Sequence, residues 1–234
     1  MSGISALIGA VEKKRLPIQQ GVLSWSVGNP PRYPWRHPGR TAYEVLIGEL
    51  WLEKATYAAV PTFEHFIQCF PSIYDLAKAT EDELAKVLSD LHLQQHNKEI
   101  IALAENLLRE GEGNLPDDSE VLTQISGLEH HNISAVLCFG YSLPVSVVDS
   151  NVRRMLSRIF STDVPPQPPL GLIKSIGESL VPYGNPEKYN SALLDLAELK
   201  CRFTTPLCAE CPVGTVCDSA SGRQAAEQTN FSVT

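Results

Sequence analysis

Four cysteines near the end of the chain constrain its fold more than any other feature. Cys201, Cys208, Cys211 and Cys217 lie within seventeen consecutive residues, with six, two and five residues between them. Four thiolates this close together can converge on one soft-metal centre, either a tetrahedral zinc ion or an iron-sulfur cluster. Zinc sites usually join two short cysteine pairs across a longer loop, whereas this run contains a single CxxC. The spacing therefore favours a cluster over zinc.

The other two cysteines, Cys69 and Cys138, stand in the apolar stretches FIQCF and AVLCFG. Small apolar thiols in such surroundings are typically buried, so we predict that both belong to the core. Disulfides are the alternative for the four clustered cysteines. We expect no signal peptide at the start of the sequence and therefore a reducing compartment, in which disulfides are rare.

Composition limits the class of protein. With 234 residues, of which 43% are hydrophobic, the chain can form one large domain or two modest ones. It has no apolar run long enough to cross a bilayer, so we expect no membrane association. A net charge of −8 argues against a protein that coats nucleic acid broadly, although local basic sites are compatible with it. Two arginine groups are either such sites or solvated faces: Arg32, Arg36 and Arg40, and Arg153, Arg154 and Arg158.

Helical patterns dominate and strand patterns are almost absent, which predicts an all-α fold. Thr80 with Glu83, and Thr41 with Glu44, have the spacing of N-terminal capping boxes. Gly127 predicts a tight hairpin between two helices, and the proline-rich 165–169 predicts a connector. The predicted helices span 41–54, 61–70, a segment opening at Thr80, 97–109 (ended by Gly111, Gly113 and Pro116), 119–124, 132–139, 149–160 and 189–199.

Four stretches carry a family resemblance, in the same order along the chain. They are PWR at 34–36, GELWLEKA at 48–55, ISGLEHHNISAVL at 125–137 with VVDSNVRRML at 147–156, and ALLDLAELKC at 192–201 running into the cysteine motif. With them the chain resembles the helix-hairpin-helix DNA glycosylases, the family of endonuclease III, the MutY-type adenine glycosylases and the thymine mismatch glycosylases. The resemblance covers about residues 33–217.

This resemblance implies two helical domains with the active site between them. A six-helix domain containing the helix-hairpin-helix would span 41–152, and a [4Fe-4S] domain would be built from both chain ends, 1–40 and 153–234. The implied partner is double-stranded DNA containing a mismatched or damaged base. A monomer is expected, in the cytoplasm and associated with the nucleoid if the source is bacterial or archaeal.

Two carboxyl groups suffice for cleavage of a glycosidic bond. One stabilises the oxocarbenium-like sugar, and the other protonates the departing base. By resemblance, Asp149 takes the first role and Glu49 the second. The alternative for Asp149 is simple helix capping, since Asp is a favoured N-cap, and the two roles are compatible. The alternative for Glu49 is an ordinary exposed helix residue, whereas its apolar neighbours favour a partly buried acid.

The hairpin departs from the family pattern. The resemblance implies a turn of two glycines that brings backbone N–H groups to a DNA phosphate, but only Gly127 is present and Glu129 stands at the second position. His130 and His131 would partly offset that charge. His131 also occupies the position of the Schiff-base lysine of bifunctional members, which predicts a monofunctional enzyme. Arg36 and Arg153 complete the predicted DNA contacts.

The sequence is also compatible with other functions. Glu53 and Lys54 replace the glutamine pair that helps to fill the gap left by the flipped base, and the RFTTPL loop after Cys201 holds a single basic residue, Arg202. Together with Glu129, these departures fit a degenerate member that binds DNA or a protein without catalysis. A small redox protein is a weaker alternative. Since the chain ends seventeen residues after Cys217, we expect no further MutY-type domain. Adenine and thymine or uracil remain equally possible as the excised base.

Overall fold

The computed structural model describes residues 2–55, 59–89, 97–110 and 115–222, without the side chains of 2–4, 53–55, 59 and 110. Every regular element in these ranges is helical, which confirms the predicted all-α fold. The helices are α1 Ser2–Val27, α2 Ala42–Ala55, α3 Ala59–Cys69, α4 Ile73–Ala77, α5 Glu81–Val87, α6 Asn97–Glu110, α7 Ser119–Gln124, α8 His130–Ala135, α9 Ser150–Ile159, α10 Leu170–Leu180 and α11 Pro186–Leu199. A π-helical turn, Val136–Gly140, extends α8, and short 3-10 helices span Pro34–Arg36, Cys208–Glu210 and Gly214–Val216.

The chain forms two compact units. The first consists of Met1–Arg32 and Pro144–Thr234, and the second of Tyr33–Leu143. The first unit contains all four clustered cysteines, and the second contains the predicted hairpin. None of the described helices is long and apolar enough to cross a membrane.

In the first unit, α1 packs on α10 and α11, and α9 packs on the same two helices. One close contact joins α1 to the cysteine segment: a Cβ at Gly21 would lie 2.8 Å from the Pro212 carbonyl oxygen. Only glycine allows that approach, so the N-terminal helix lies directly against the cysteine-rich loop.

In the second unit, α2 is the central helix and contacts α3, α8 and the π-helical turn. Its core is aromatic. Trp51 lies edge-on to Phe66 with ring centroids 4.5 Å apart, and Phe63 and Phe66 are fully buried. The prediction for Cys69 is wrong, because the buried face of α3 is taken by these phenylalanines and Cys69 lies off that face, exposed. Cys138 is buried, as predicted.

Side-chain caps fix several helix starts. The Thr41 N–H donates to Glu44 Oε2 at 2.7 Å, and the Glu44 N–H donates to Thr41 Oγ1 at 3.2 Å. Thr80 and Glu83 form the same reciprocal box at the start of α5. Both predicted capping boxes are therefore confirmed.

The sequence patterns missed α1, α4 and α10 and placed other helix ends within a few residues. Pro17 lies inside α1, and Pro169 directly precedes α10. Two predictions fall outside what the structure describes. The helix break at Gly111 and Gly113 lies in an undescribed segment, and the side chains of Glu53 and Lys54, which replace the glutamine pair, are not described.

A half-buried ion pair joins α1 to the end of the cysteine segment. Lys14 Nζ lies 2.5 Å from Asp218 Oδ1, donates to the Ile159 carbonyl at 2.8 Å and sits 4.9 Å from the centre of the Phe160 ring. Burial raises the pKa of Asp218, but hydrogen bonds from Lys14 and Thr162 outweigh it, so the net pKa lies below its usual value.

We expect Lys14→Met to lower the melting temperature most near neutral pH. A carboxyl whose pKa is lowered by folding stabilises the fold above its unfolded pKa, about 3.9, and loses that effect as the pH falls through the folded value. The difference between wild type and variant should therefore shrink below about pH 5. Thermal unfolding across pH measures this, with the exposed neighbour changed as Lys13→Met for control. A difference that stays constant at low pH would contradict the assignment.

Candidate active site and metal centre

The segment that leads to Asp149 is held by two helices of the first unit. The buried Asn190 of α11 accepts from the Val147 N–H at 2.9 Å and donates to the Val145 carbonyl at 3.0 Å. Glu178 of α10 accepts from the Ser146 N–H at 3.0 Å. These side chains satisfy backbone N–H and C=O groups that have no helix or sheet partner. They thereby fix the segment 145–147, which leads into α9.

Asp149 is the N-cap of α9. Its Oδ1 accepts from the Val152 N–H at 2.7 Å, and its Oδ2 accepts a longer bond, 3.3 Å, from Asn151 Nδ2. The residue is half-buried. Capping uses one carboxylate oxygen and leaves the second with the longer bond from Asn151. The charge of the carboxylate benefits from the positive end of the helix dipole.

A chain of hydrogen bonds links Asp149 to the first cysteine. Asn151 bonds Asp149, Arg154 Nη1 donates to Asn151 Oδ1 at 2.9 Å, and Arg154 Nε donates to the Cys201 carbonyl at 2.9 Å. Arg154 Nη2 also donates to the Ala197 carbonyl at 3.0 Å. Arg154 thus caps the C-terminal end of α11 and connects the start of α9 to the cysteine loop.

Arg158, one turn later on α9, supports the same loop. Its Nη1 donates to the Arg202 carbonyl at 2.7 Å and lies 3.5 Å from Cys201 Sγ, and its Nη2 donates to the Phe203 carbonyl at 2.8 Å. Both arginines therefore serve the backbone around Cys201 rather than forming a solvated charged face.

The four clustered cysteines, all half-buried, line one cavity with Met155, Arg158 and Ile159 of α9. Burial, and more weakly the three neighbouring thiols, raise the pKa of Cys211 to about 11. Four thiolates that repel one another need a cation among them, and a thiolate donor set suits soft metal centres. Within the described residues, no group of three His, Cys, Asp or Glu side chains is arranged to hold a single metal ion.

Glu49 lies in the second unit, on α2, and is paired rather than exposed. Arg36 Nε donates to its Oε1 at 2.6 Å, Arg36 Nη2 donates to its Oε2 at 2.9 Å, and Trp35 Nε1 donates to Oε1 at 3.0 Å. Only 4% of each charged side chain is exposed. Removing one partner of such a buried pair typically costs about 3–5 kcal/mol, because the other charge is left uncompensated.

The hairpin has the predicted glycine turn. Gly127 has φ +97°, in the left-handed region that favours glycine. The Glu129 N–H donates to the buried Asn132 Oδ1 at 3.1 Å, and the Glu129 carboxylate is largely exposed, with its Oε2 3.7 Å from His131 Nδ1. The negative charge at position 129 therefore has a histidine beside it.

The remaining predicted contact residues differ in exposure. His130 and Arg153 are exposed, and Arg153 Nη2 donates to the Pro168 carbonyl at 3.0 Å. Arg36 is buried in its pair with Glu49. The structure thus brings Arg36 and Glu49 together in the second unit, and joins Asp149 to the cysteine loop in the first.

Sequence reasoning missed several supporting residues. Trp35, Asn190 and Glu178 each bond a site residue or the segment beside it, but none has a spacing signature. Gly177 and Gly48 provide close approach: a Cβ at 177 would overlap Ser146, and a Cβ at 48 would overlap the Trp35 ring. Glycine followed directly by glutamate occurs at both places, as Gly48-Glu49 and Gly177-Glu178.

The comparisons with known proteins decide the family. The model of the HhH-GPD superfamily base excision DNA repair proteins matches residues 53–170, just over half of the chain. The chain belongs to this superfamily. The resemblance predicted from the four sequence stretches is confirmed.

Two relatives show the range of similarity. Human adenine DNA glycosylase is 27% identical over 218 residues, which cover 88% of this chain and 39% of that protein. Thymine/uracil-DNA glycosylase from Methanothermobacter thermautotrophicus is 25% identical over 211 residues, covering 89% of this chain and 95% of that protein. The chain spans about half or less of the length of the adenine glycosylases from human and Buchnera aphidicola.

Solved structures share the fold. A thermostable thymine-DNA glycosylase superposes with a TM-score of 0.83 at 23% identity, over 91% of this chain and 99% of that one. Endonuclease III in a non-covalent DNA complex superposes with a TM-score of 0.69 at 17% identity, over 87% and 95% of the two chains. The HhH-GPD fold therefore extends over most of the chain, beyond the stretch that the family model covers.

Proposed function

We propose that this protein is a DNA glycosylase of base excision repair that hydrolyses the N-glycosidic bond of a flipped, mispaired or altered base. Family membership and the glycosylase names of its relatives support the reaction class. The observation that carries the proposal is the half-buried Asp149 at the start of α9, with one oxygen in the cap and the other on a longer bond from Asn151. Double-stranded DNA is the proposed partner, and the protein would act as a monomer in the compartment that holds the DNA.

Asp149 would stabilise positive charge on the sugar. The base must first leave the stack, at a cost of a few kcal/mol that a mismatch lowers. Cleavage then leaves an oxocarbenium-like sugar, and an adjacent carboxylate lowers the energy of that transition state. Asn151 and the N–H of Val152 hold the Asp149 carboxylate in place, so it needs no rearrangement as the charge develops.

Glu49 would protonate the departing base. Its two oxygens accept charge-assisted bonds from Arg36, which hold the carboxyl group in place. In hydrolysis the water that adds to the sugar gives up a proton, and Glu49 would pass a proton to the base as the bond between base and sugar breaks. Glu49 thus serves in this proposal as a proton relay.

The hairpin would hold a DNA phosphate. Gly127 permits the close backbone approach, and His130 and His131 offset Glu129. Arg153, exposed on α9 of the first unit, is proposed as a separate DNA contact. Arg36, predicted as a further DNA contact, is buried in its ion pair with Glu49.

The four cysteines would hold a [4Fe-4S] cluster. The donor set fits, since all four thiols line one cavity and their spacing is a single compact wrap. When bound, the cluster supplies four metal–thiolate bonds that tie the C-terminal segment into a closed structure. Arg154 and Arg158 hold the Cys201 backbone to α9, the helix that Asp149 caps.

The reaction is expected to stop at the abasic site. With His131 where an imine-forming lysine would be needed, borohydride should not trap the protein on substrate DNA, and strands should break only after alkali is added. His131→Lys, with its amine in the hairpin, is the matched variant and is expected to gain some trapping. Efficient trapping of the wild type would mean that another amine attacks the sugar, and the monofunctional assignment would fail.

The substrate is proposed as adenine or thymine/uracil, the bases named in the two relatives. A panel of duplexes with single mismatches and modified bases, assayed for abasic sites, identifies the base and its partner. Binding of these duplexes without any excision would instead support the degenerate, binding-only alternative.

A further inference from the structure

Arg36 is placed to act on Glu49 rather than on DNA. Both of its donors described above point at the two oxygens of one carboxylate, in the bidentate geometry specific to guanidinium. Its side chain is 4% exposed, and its guanidinium lies 4.9 Å from the centre of the Tyr33 ring and 5.9 Å from that of Phe139. A cation enclosed in this way cannot contact a phosphate without leaving the pair.

The segment that carries Arg36 is rigidly seated on α2. The Trp35 ring occupies the space where position 48 would carry a Cβ, so the ring rests on the helix backbone one residue before Glu49. Tyr33 stacks on Trp35 with ring centroids 5.0 Å apart, and Phe63 makes a tilted contact with the Trp35 ring at 5.1 Å. Trp35 is fully buried. The distance between Arg36 and Glu49 is therefore set by packing and not by the two long side chains alone.

We propose that Arg36 is a positioning residue for Glu49. Its guanidinium fork fixes the plane of the carboxylate, and the Trp35 N–H fixes which oxygen faces the indole. This inference rests on the proposed function, in which Glu49 takes part in the chemistry. Lysine is a point charge and cannot hold both oxygens in one plane, so the bidentate geometry should matter more than the charge at position 36.

Single-turnover excision assays, combined with duplex binding, distinguish positioning of Glu49 from DNA binding by Arg36. Arg36→Lys is expected to lower the rate of base release about 100-fold, since a misplacement of roughly 1 Å can cost that much, while duplex affinity changes less than about threefold. Because Arg36 acts through Glu49, adding Arg36→Lys to Glu49→Gln should cause no further loss. Arg109→Lys is the control: Arg109 is exposed on α6 of the same unit, where its Nη2 donates to Asn106 Oδ1, and it should tolerate the change.

Arg36→Gln tests the phosphate role directly. A phosphate contact would predict weaker duplex binding and a salt slope smaller by about one, with base release unchanged at saturation. That result would overturn the proposal. An unchanged salt slope with a lower saturated rate supports it. If the Arg36 variants fail to fold, Trp35→Phe keeps the ring packing and removes one bond to Glu49, and we expect a loss of roughly tenfold.

A readout independent of activity separates this inference from the proposed function. In protein labelled with 15N-tryptophan, the indole N–H resonance of Trp35, one of three tryptophans, should move in Glu49→Gln and in Arg36→Lys but not in Arg109→Lys. If the wild type excises no base while the resonance behaves as stated, the proposed function fails and the positioning geometry stands. If the wild type excises a base and Arg36→Lys is as fast, the positioning role fails.

Discussion

Asp149→Asn is expected to leave the fold intact and to lower base excision by roughly two to three orders of magnitude. Asparagine keeps an oxygen that can accept the Val152 N–H and is as good an N-cap as aspartate, so α9 should remain capped. What disappears is the negative charge, and with it the stabilisation of the oxocarbenium-like sugar. Single-turnover excision and thermal unfolding, measured on the same preparation, separate chemistry from stability.

Asp118→Asn provides a matched control for this prediction. Asp118 is the N-cap of α7 and accepts from Glu120 N–H at 2.7 Å and from Val121 N–H at 3.3 Å. The substitution makes the same chemical change at an equivalent helix start, and no part of the proposed mechanism uses Asp118. We expect it to keep full activity. Equal activity of the Asp149 and Asp118 variants would remove Asp149 from the mechanism and reduce it to a cap.

Local signals predicted the helices that begin with their own caps. Thr41 with Glu44 and Thr80 with Glu83 fix helix starts through bonds three residues apart, which a sequence shows directly. α1 could not be found in this way. It contains Pro17, which normally breaks a helix, and its place depends on packing against α10, α11 and the cysteine loop. Tertiary contacts there outweigh local propensity.

In the candidate site, too, local features were predicted from the sequence and long-range contacts were not. The cysteine spacing and the aspartate before α9 are local, and both were visible in the sequence. The Arg36–Glu49 pair joins residues thirteen positions apart across a turn, a separation with no periodic signature. The sequence allows Arg154 and Arg158 to be either a local basic site or a solvated face. The carbonyls that they bond are those of residues 197–203, more than forty positions away.

Cys208→Ser is expected to remove the proposed cluster and much of the stability of the first unit. Wild-type protein purified without oxygen should be brown, absorb broadly in the visible and contain about four irons per chain, and the variant should lose most of that iron. Metal binding to a site that does not exist in the unfolded chain adds directly to folding free energy. A loss of only about 3 kcal/mol would lower the melting temperature by roughly 6–12 °C in a chain of this size.

Position 208 is a sensitive place for this test because the loop folds back on itself there. A Cβ at Gly214 would lie 2.8 Å from the Cys208 carbonyl oxygen, so the backbone around the thiols is closely packed. Cys69→Ser is the control, since Cys69 is exposed on α3 in the other unit and should change neither iron content nor melting temperature. Stoichiometric zinc without iron in the wild type would refute the cluster. Full iron in Cys208→Ser would show that the metal is held elsewhere.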